Sequence, residues 1–99
     1  MHLMSQEDRS KRQFELGRAR EISAMLDSEV IKATINGIIH GIQNEWMNTM
    51  DREQREFLWQ QGQGVHKFVA TLQGLVDTGK LAAEQLRADD KLRSTEDAK

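Results

Sequence analysis

Cysteine, proline and tyrosine are all missing from this 99-residue chain. Without cysteine there is no disulfide, no thiol nucleophile and no thiolate metal site. Without proline, nothing in the sequence forces a helix to kink or stop. Three phenylalanines and two tryptophans are the only aromatic residues, so little favours strands. Long apolar runs are missing too: the most apolar stretch is broken by Asn36, His40, Gln43 and Asn44, which rules out a bilayer-spanning helix. The start, with His2, Glu7 and Asp8, lacks the basic-then-apolar order of a signal peptide, and an intracellular protein is expected. A formal net charge of −2 is too small to steer the whole molecule toward DNA or an anionic membrane.

What remains is helical. Apolar residues make up 37% and charged residues 30% of the chain, enough for one domain at most. A core that small is marginal by itself, and association with another chain is expected. The richest apolar stretch holds Ile31, Ile35, Ile38, Ile39, Ile42 and Trp46, with no formal charge between Lys32 and Glu45. Spacings of three and four place these residues on one helix face.

Punctuation divides the chain into three helices. Ser5 is positioned to cap a first helix starting near Gln6, with Asp8 three residues on. This helix is polar until Phe14, then carries Ile22, Met25 and Leu26, so order is expected from Phe14 and fraying before it. Asp27 and Ser28 interrupt it, and a second helix is predicted from Glu29 to Asn48. Within it Gly37 and Gly41 each cost about 1 kcal/mol relative to alanine, so close helix packing is expected in compensation. Asn48, Thr49 and Asp51 form the next break, Asp51 and Gln54 fitting an aspartate capping box.

The third helix is predicted from Arg52 to Asp77. Leu58, Gly62, Val65, Val69, Leu72 and Val76 alternate spacings of four and three, a heptad-like seam widened by Phe57, Phe68 and Leu75. Gly62 and Gly64 would make room for Trp46 or Trp59 opposite. Gly79 reads as a left-handed helix stop, Lys80 to Leu86 as a short further turn, and the charged stretch from Arg87 as disordered. The expected layout is a loose arm over residues 1–13, a helical domain over 14–86 and a tail over 87–99.

Two long helices joined by a short turn make an antiparallel hairpin. The expected fold is therefore all-α: a hairpin buttressed by an N-terminal helix, a small bundle that self-associates. The packing residues are Ile31, Ile35, Ile38, Ile42, Trp46, Leu58, Trp59, Val65, Val69 and Leu72, with Val76 continuing the seam. Trp46 and Trp59 lie either side of the turn, and the core role is favoured for them over that of an exposed partner anchor.

Sites for chemistry are weak. Gly74, Gly79 and Lys80 match part of a phosphate-binding loop. Leu81 stands where a magnesium-binding hydroxyl belongs, however, and a helix precedes the match where a strand should. His2, His40 and His66 are far apart with no second ligand beside them, although His40 and Asn44 are spaced to form a polar pair. Asp51, Glu53 and Glu56 gather at a helix start, where they complement the dipole. No cofactor, metal site or catalytic residue is expected, and the chain is not read as an enzyme. Arg9, Lys11, Arg12, Arg18 and Arg20 form the only basic stretch, interleaved with Glu15. A mixed solvated face is favoured there, with nucleic-acid contact as the alternative.

Four short pieces resemble small helical proteins encoded by tailed bacteriophages near head-morphogenesis and DNA-packaging genes. They are Arg18-Ala19-Arg20-Glu21, Glu45-Trp46 with Asn48-Thr49, Arg55-Glu56-Phe57-Leu58-Trp59, and Val76 through Ala82. Family versions of the turn near Thr49 are proline-rich, whereas this chain has Met50 there. The resemblance implies a non-enzymatic phage protein acting by protein–protein contact: a minor virion component, an assembly helper or a packaging accessory. It also implies another phage protein or a second copy as partner, and the bacterial host cytoplasm or the virion as location.

Overall fold

The computed structural model describes residues 3–97 and contains three α-helices, with no strand among those residues. Helix α1 spans Gln6–Leu26, α2 spans Glu29–Asn48 and α3 spans Arg52–Asp97. Each start has a local cause. The Asp8 N–H donates to Ser5 Oγ at 3.1 Å, and the Arg9 N–H to the Ser5 carbonyl at 2.9 Å. Ser28 is extended (φ −66°, ψ 127°), and its Oγ accepts from the Ile31 N–H at 3.4 Å. Both serines satisfy amides that a helix start leaves free. At α3 the Asp51 carbonyl accepts from the Arg55 N–H at 2.9 Å.

The largest departure from expectation is α3. It runs for 46 residues and passes through Gly79 without a stop. No glycine among the described residues has a positive φ. The Thr78 hydroxyl donates to the Gly74 carbonyl at 3.0 Å, one turn back within the same helix. Gly74 to Leu81 is therefore helix, and the phosphate-loop lookalike has no loop in which to present its amides. The stretch from Arg87 is helical as far as Asp97 where disorder was expected, and α1 is helical from Gln6 where fraying was expected. Residues 1–2 and 98–99 lie outside the described residues, His2 among them.

The chain divides into two compact units. The first comprises Met1–Ser23 with Gln73–Lys99, the second Ala24–Leu72. In the first unit Ala19, Val76, Ala82, Leu86 and Asp89 are buried, and so is Gly79. Gly79 marks the closest approach. A Cβ built on it would overlap the Ala19 Cβ and sit 3.0 Å from the Glu15 carbonyl oxygen. Glycine is required at this position by a neighbouring helix, not by a turn.

The second unit is more apolar in sequence but far less covered. Leu58, 2% exposed, is its buried apolar residue, and α2 has no buried residue at all. Ile31, Ile35, Ile39 and Ile42 are half-buried, and so are Val65, Val69 and Leu72 on α3. Gly62 lies against Ile42, whose Cγ2 is 3.9 Å from where a Cβ would stand. Around Gly37, Gly41 and Gly64 that space is open. The close packing expected of Gly37 and Gly41 is thus not made within the chain, and Gly62 admits an isoleucine, not a tryptophan.

Candidate functional site

Two features of the surface concentrate side chains: a charged clamp in the first unit and an apolar band in the second.

The clamp centres on Asp89, buried on α3. Its Oδ1 accepts from the Met4 N–H at 2.8 Å, and its Oδ2 accepts from Arg9 Nη1 at 2.6 Å and Arg93 Nε at 2.8 Å. Arg93 Nη2 also donates to the Met4 carbonyl at 2.9 Å, and Arg9 Nη2 pairs with Asp90. A buried carboxylate needs partners of this kind to remain charged. The Arg93 hydrogen bond, then the Met4 amide, hold the Asp89 carboxyl below its ordinary pKa and outweigh the opposing effect of burial. Asp90, with Asp89 adding to it, raises the pKa of Arg9. The clamp gives α1 and α3 a reason to be ordered where polar composition alone predicts looseness.

This arrangement redistributes the basic stretch. Arg9 is committed to Asp89 and Asp90, and Arg12 pairs with Glu15 at 2.7 Å. Arg18 stacks on the Phe14 ring, 5.4 Å from its centroid. Lys11 and Arg20 are exposed on α1. The five residues weighed for nucleic-acid contact are therefore not five free cations.

The apolar band lies in the second unit. From Ala33 to Asn44 on α2, and from Phe57 to His66 on α3, there is no formal charge. An open groove of about 490 Å³ is lined by Ile35, Ile38 and Ile42 of α2 and by Gln61, Gly64, Val65 and Phe68 of α3. A second groove of about 410 Å³ includes Gln43, Trp46, Met47, Trp59, Gln63 and His66 in its lining.

The tryptophans do not close a core, contrary to the reading favoured from sequence. Trp46 is 39% and Trp59 55% exposed. The Arg55 guanidinium stacks on the Trp46 ring at 3.8 Å from its centroid, so a cation covers the indole where an apolar partner was expected. Ile38, Phe57 and Phe68 are also exposed, at 48%, 56% and 58%.

The remaining polar candidates stay apart. His40 and His66 are exposed. Asn44 accepts from Asn48 Nδ2 through its backbone oxygen at 2.8 Å, so its recorded partner is Asn48 and not His40. Among the described residues no three His, Asp or Glu side chains are grouped to hold a metal ion, and no helix is long and apolar enough to cross a membrane.

No family model matches the chain, and neither a curated protein nor a solved structure matches it.

Proposed function

We propose that this chain is a non-enzymatic, self-associating helical module that works by protein–protein contact. Its context is that of a tailed-phage structural protein, assembly helper or packaging accessory in the bacterial host cytoplasm or the virion. The observation that carries the reading is the contrast between composition and burial in α2. The most apolar helix of the chain has no buried residue, and isolated exposed hydrophobes are ordinary whereas a contiguous exposed band marks an interaction site. In this reading α2 and the first half of α3 form an antiparallel hairpin that presents the band to a partner.

Supporting it further, the cations that a nucleic-acid strip would need are partly engaged inside the first unit, by Asp89, Asp90 and Glu15. Backbone phosphate contact depends on free Lys and Arg.

Solution mass measured by light scattering, across a concentration series and at low and high salt, tests the proposal. A dimer or larger assembly that persists in high salt supports it. A monomer at every concentration overturns self-association.

A further inference from the structure

We infer that Asp89 and Arg93 form a register lock. Together they hold α1 on α3 in one antiparallel alignment and exclude a second, one helical turn away, that the small residues of α3 would otherwise admit.

Two contacts define the alignment. Arg9 reaches Asp89, and Ala19 lies against Gly79. Arg9 and Ala19 stand ten positions apart on α1, and Asp89 and Gly79 ten apart on α3, in the opposite order. One register therefore satisfies both contacts, and both lie within the first unit.

Packing alone does not single this register out. Sliding α1 by one turn toward the C-terminus of α3 carries Ala19 from Gly79 to Ala82 and Ala83, three and four positions on. Alanine on alanine needs only a slightly wider helix spacing. The same slide brings Arg12, now paired with Glu15 at 2.7 Å, up to Asp89. Sliding the other way sets Ala19 against Leu75 and Val76, where the close approach leaves no room for bulk. One competing register is thus available, with its own arginine for Asp89. One-turn displacements of this kind separate discrete states of packed helices.

Two features of the clamp disfavour the competitor. Arg93 Nε donates to Asp89 from one turn further along α3, at 2.8 Å. In the slid register Arg9 arrives opposite Arg93, so like charges meet where Arg9 now meets a carboxylate. The second feature is the Met4 peptide, which is gripped at both its polar groups. Its N–H donates to Asp89 Oδ1 at 2.8 Å, and its carbonyl accepts from Arg93 Nη2 at 2.9 Å. Met4 stands two residues before α1, so this grip fixes where the helix begins along α3, and a slide breaks both bonds. Asp89 is 3% exposed, so bonds broken there are not made good by bulk water. A buried ion pair adds little net stability, and setting register is its best-attested use.

Spin-label distances test the lock. The chain has no cysteine, so a pair of introduced cysteines takes labels at the chosen positions alone. Ser10 with Gln73, and Arg20 with Ser94, are exposed positions on α1 and α3. Double electron–electron resonance, with labelled chain diluted into excess unlabelled chain, reads each distance within one molecule. A one-turn slide lengthens the first distance and shortens the second, each by about 5 Å. Wild type should show a single distance for each pair, and so should Arg93→Lys, which keeps the charge. Arg9→Glu should slide, because its new carboxylate faces Asp89 in the present register and Arg93 in the other. Arg93→Glu should slide as well, because its new carboxylate repels Asp89 but attracts Arg9 once the helix has moved.

Unchanged distances in either glutamate variant, with helix content intact by circular dichroism, would overturn the inference. Two distances that lengthen together would also overturn it, since the helices would then separate instead of sliding. If one glutamate variant loses its helices, the other decides. Loss of helix content in both would count against the lock too, because the slid register would then not be a state the chain can occupy.

Discussion

Replacing Gly79 with alanine isolates the closest helix–helix approach in the first unit, and the expected sign is opposite to that of helix propensity. Glycine to alanine inside an exposed helix ordinarily stabilises by about 1 kcal/mol. Gly74 shows the ordinary case, since it lies in the same helix with open space where a Cβ would go. Gly74→Ala should therefore gain up to about 1 kcal/mol. At Gly79 the new methyl would overlap the Ala19 Cβ and press on the Glu15 carbonyl. Neither neighbour is the far end of a flexible side chain, so a backbone must move. Overpacking of this kind costs roughly 1–3 kcal/mol, and more where backbone is displaced. Set against the propensity gain, Gly79→Ala should lose up to about 2 kcal/mol net. The two variants should thus differ by roughly 1–3 kcal/mol, worth on the order of 10 °C in Tm for a domain of this size. Urea denaturation followed by circular dichroism, at one fixed protein concentration, reads both values. Gly79→Ala as stable as Gly74→Ala would refute the close approach of α1 and α3.

Further outcomes follow from the same geometry. Asp89 has a depressed pKa in the folded chain, so the stability it contributes is complete above its unfolded pKa and is lost as pH falls through the lower folded value. Asp89→Asn should lower the denaturation midpoint at neutral pH and flatten the acid limb of stability against pH; an unchanged limb would exclude the clamp as its source. Leu58→Ala removes the buried apolar side chain of the second unit and should cost roughly 2–5 kcal/mol in urea denaturation; a loss under 1 kcal/mol would mean that Leu58 is not packed as described.

Much of the architecture was legible in the sequence. Helix α2 runs from Glu29 to Asn48 as its capping signals at Ser28 and its break at Asn48 predict, and α1 begins at Gln6 behind Ser5. The misreading of α3 has a definite cause. The four-three alternation from Leu58 to Val76 continues through Gly79, Ala83 and Leu86, but small residues carry little weight in a hydrophobic pattern, and Gly79 after Thr78 resembles a helix end. Small residues kept in phase with the seam were the available signal: they mark where another helix comes close.

The clamp was harder to see. Arg9 and Asp89 lie 80 positions apart, and no local periodicity pairs residues at that distance. A basic stretch near one end facing Asp89-Asp90 near the other was a hint only of complementary charge. The tryptophans misled for another reason, because bulk beside a turn favours a core only when nothing else covers the ring, and Arg55, nine positions on, covers Trp46.

In the proposed function α2 is covered by another copy of the chain, whereas Ala19, Val76, Ala82 and Leu86 are already buried in the first unit. Amide hydrogen exchange at two protein concentrations, a hundredfold apart, tests this most directly. Association protects the covered surface by mass action. The account predicts that exchange across Ile35 to Ile42 slows at the higher concentration by more than it does from Gly79 to Leu86. Exchange in α2 that is fast and identical at both concentrations would contradict it.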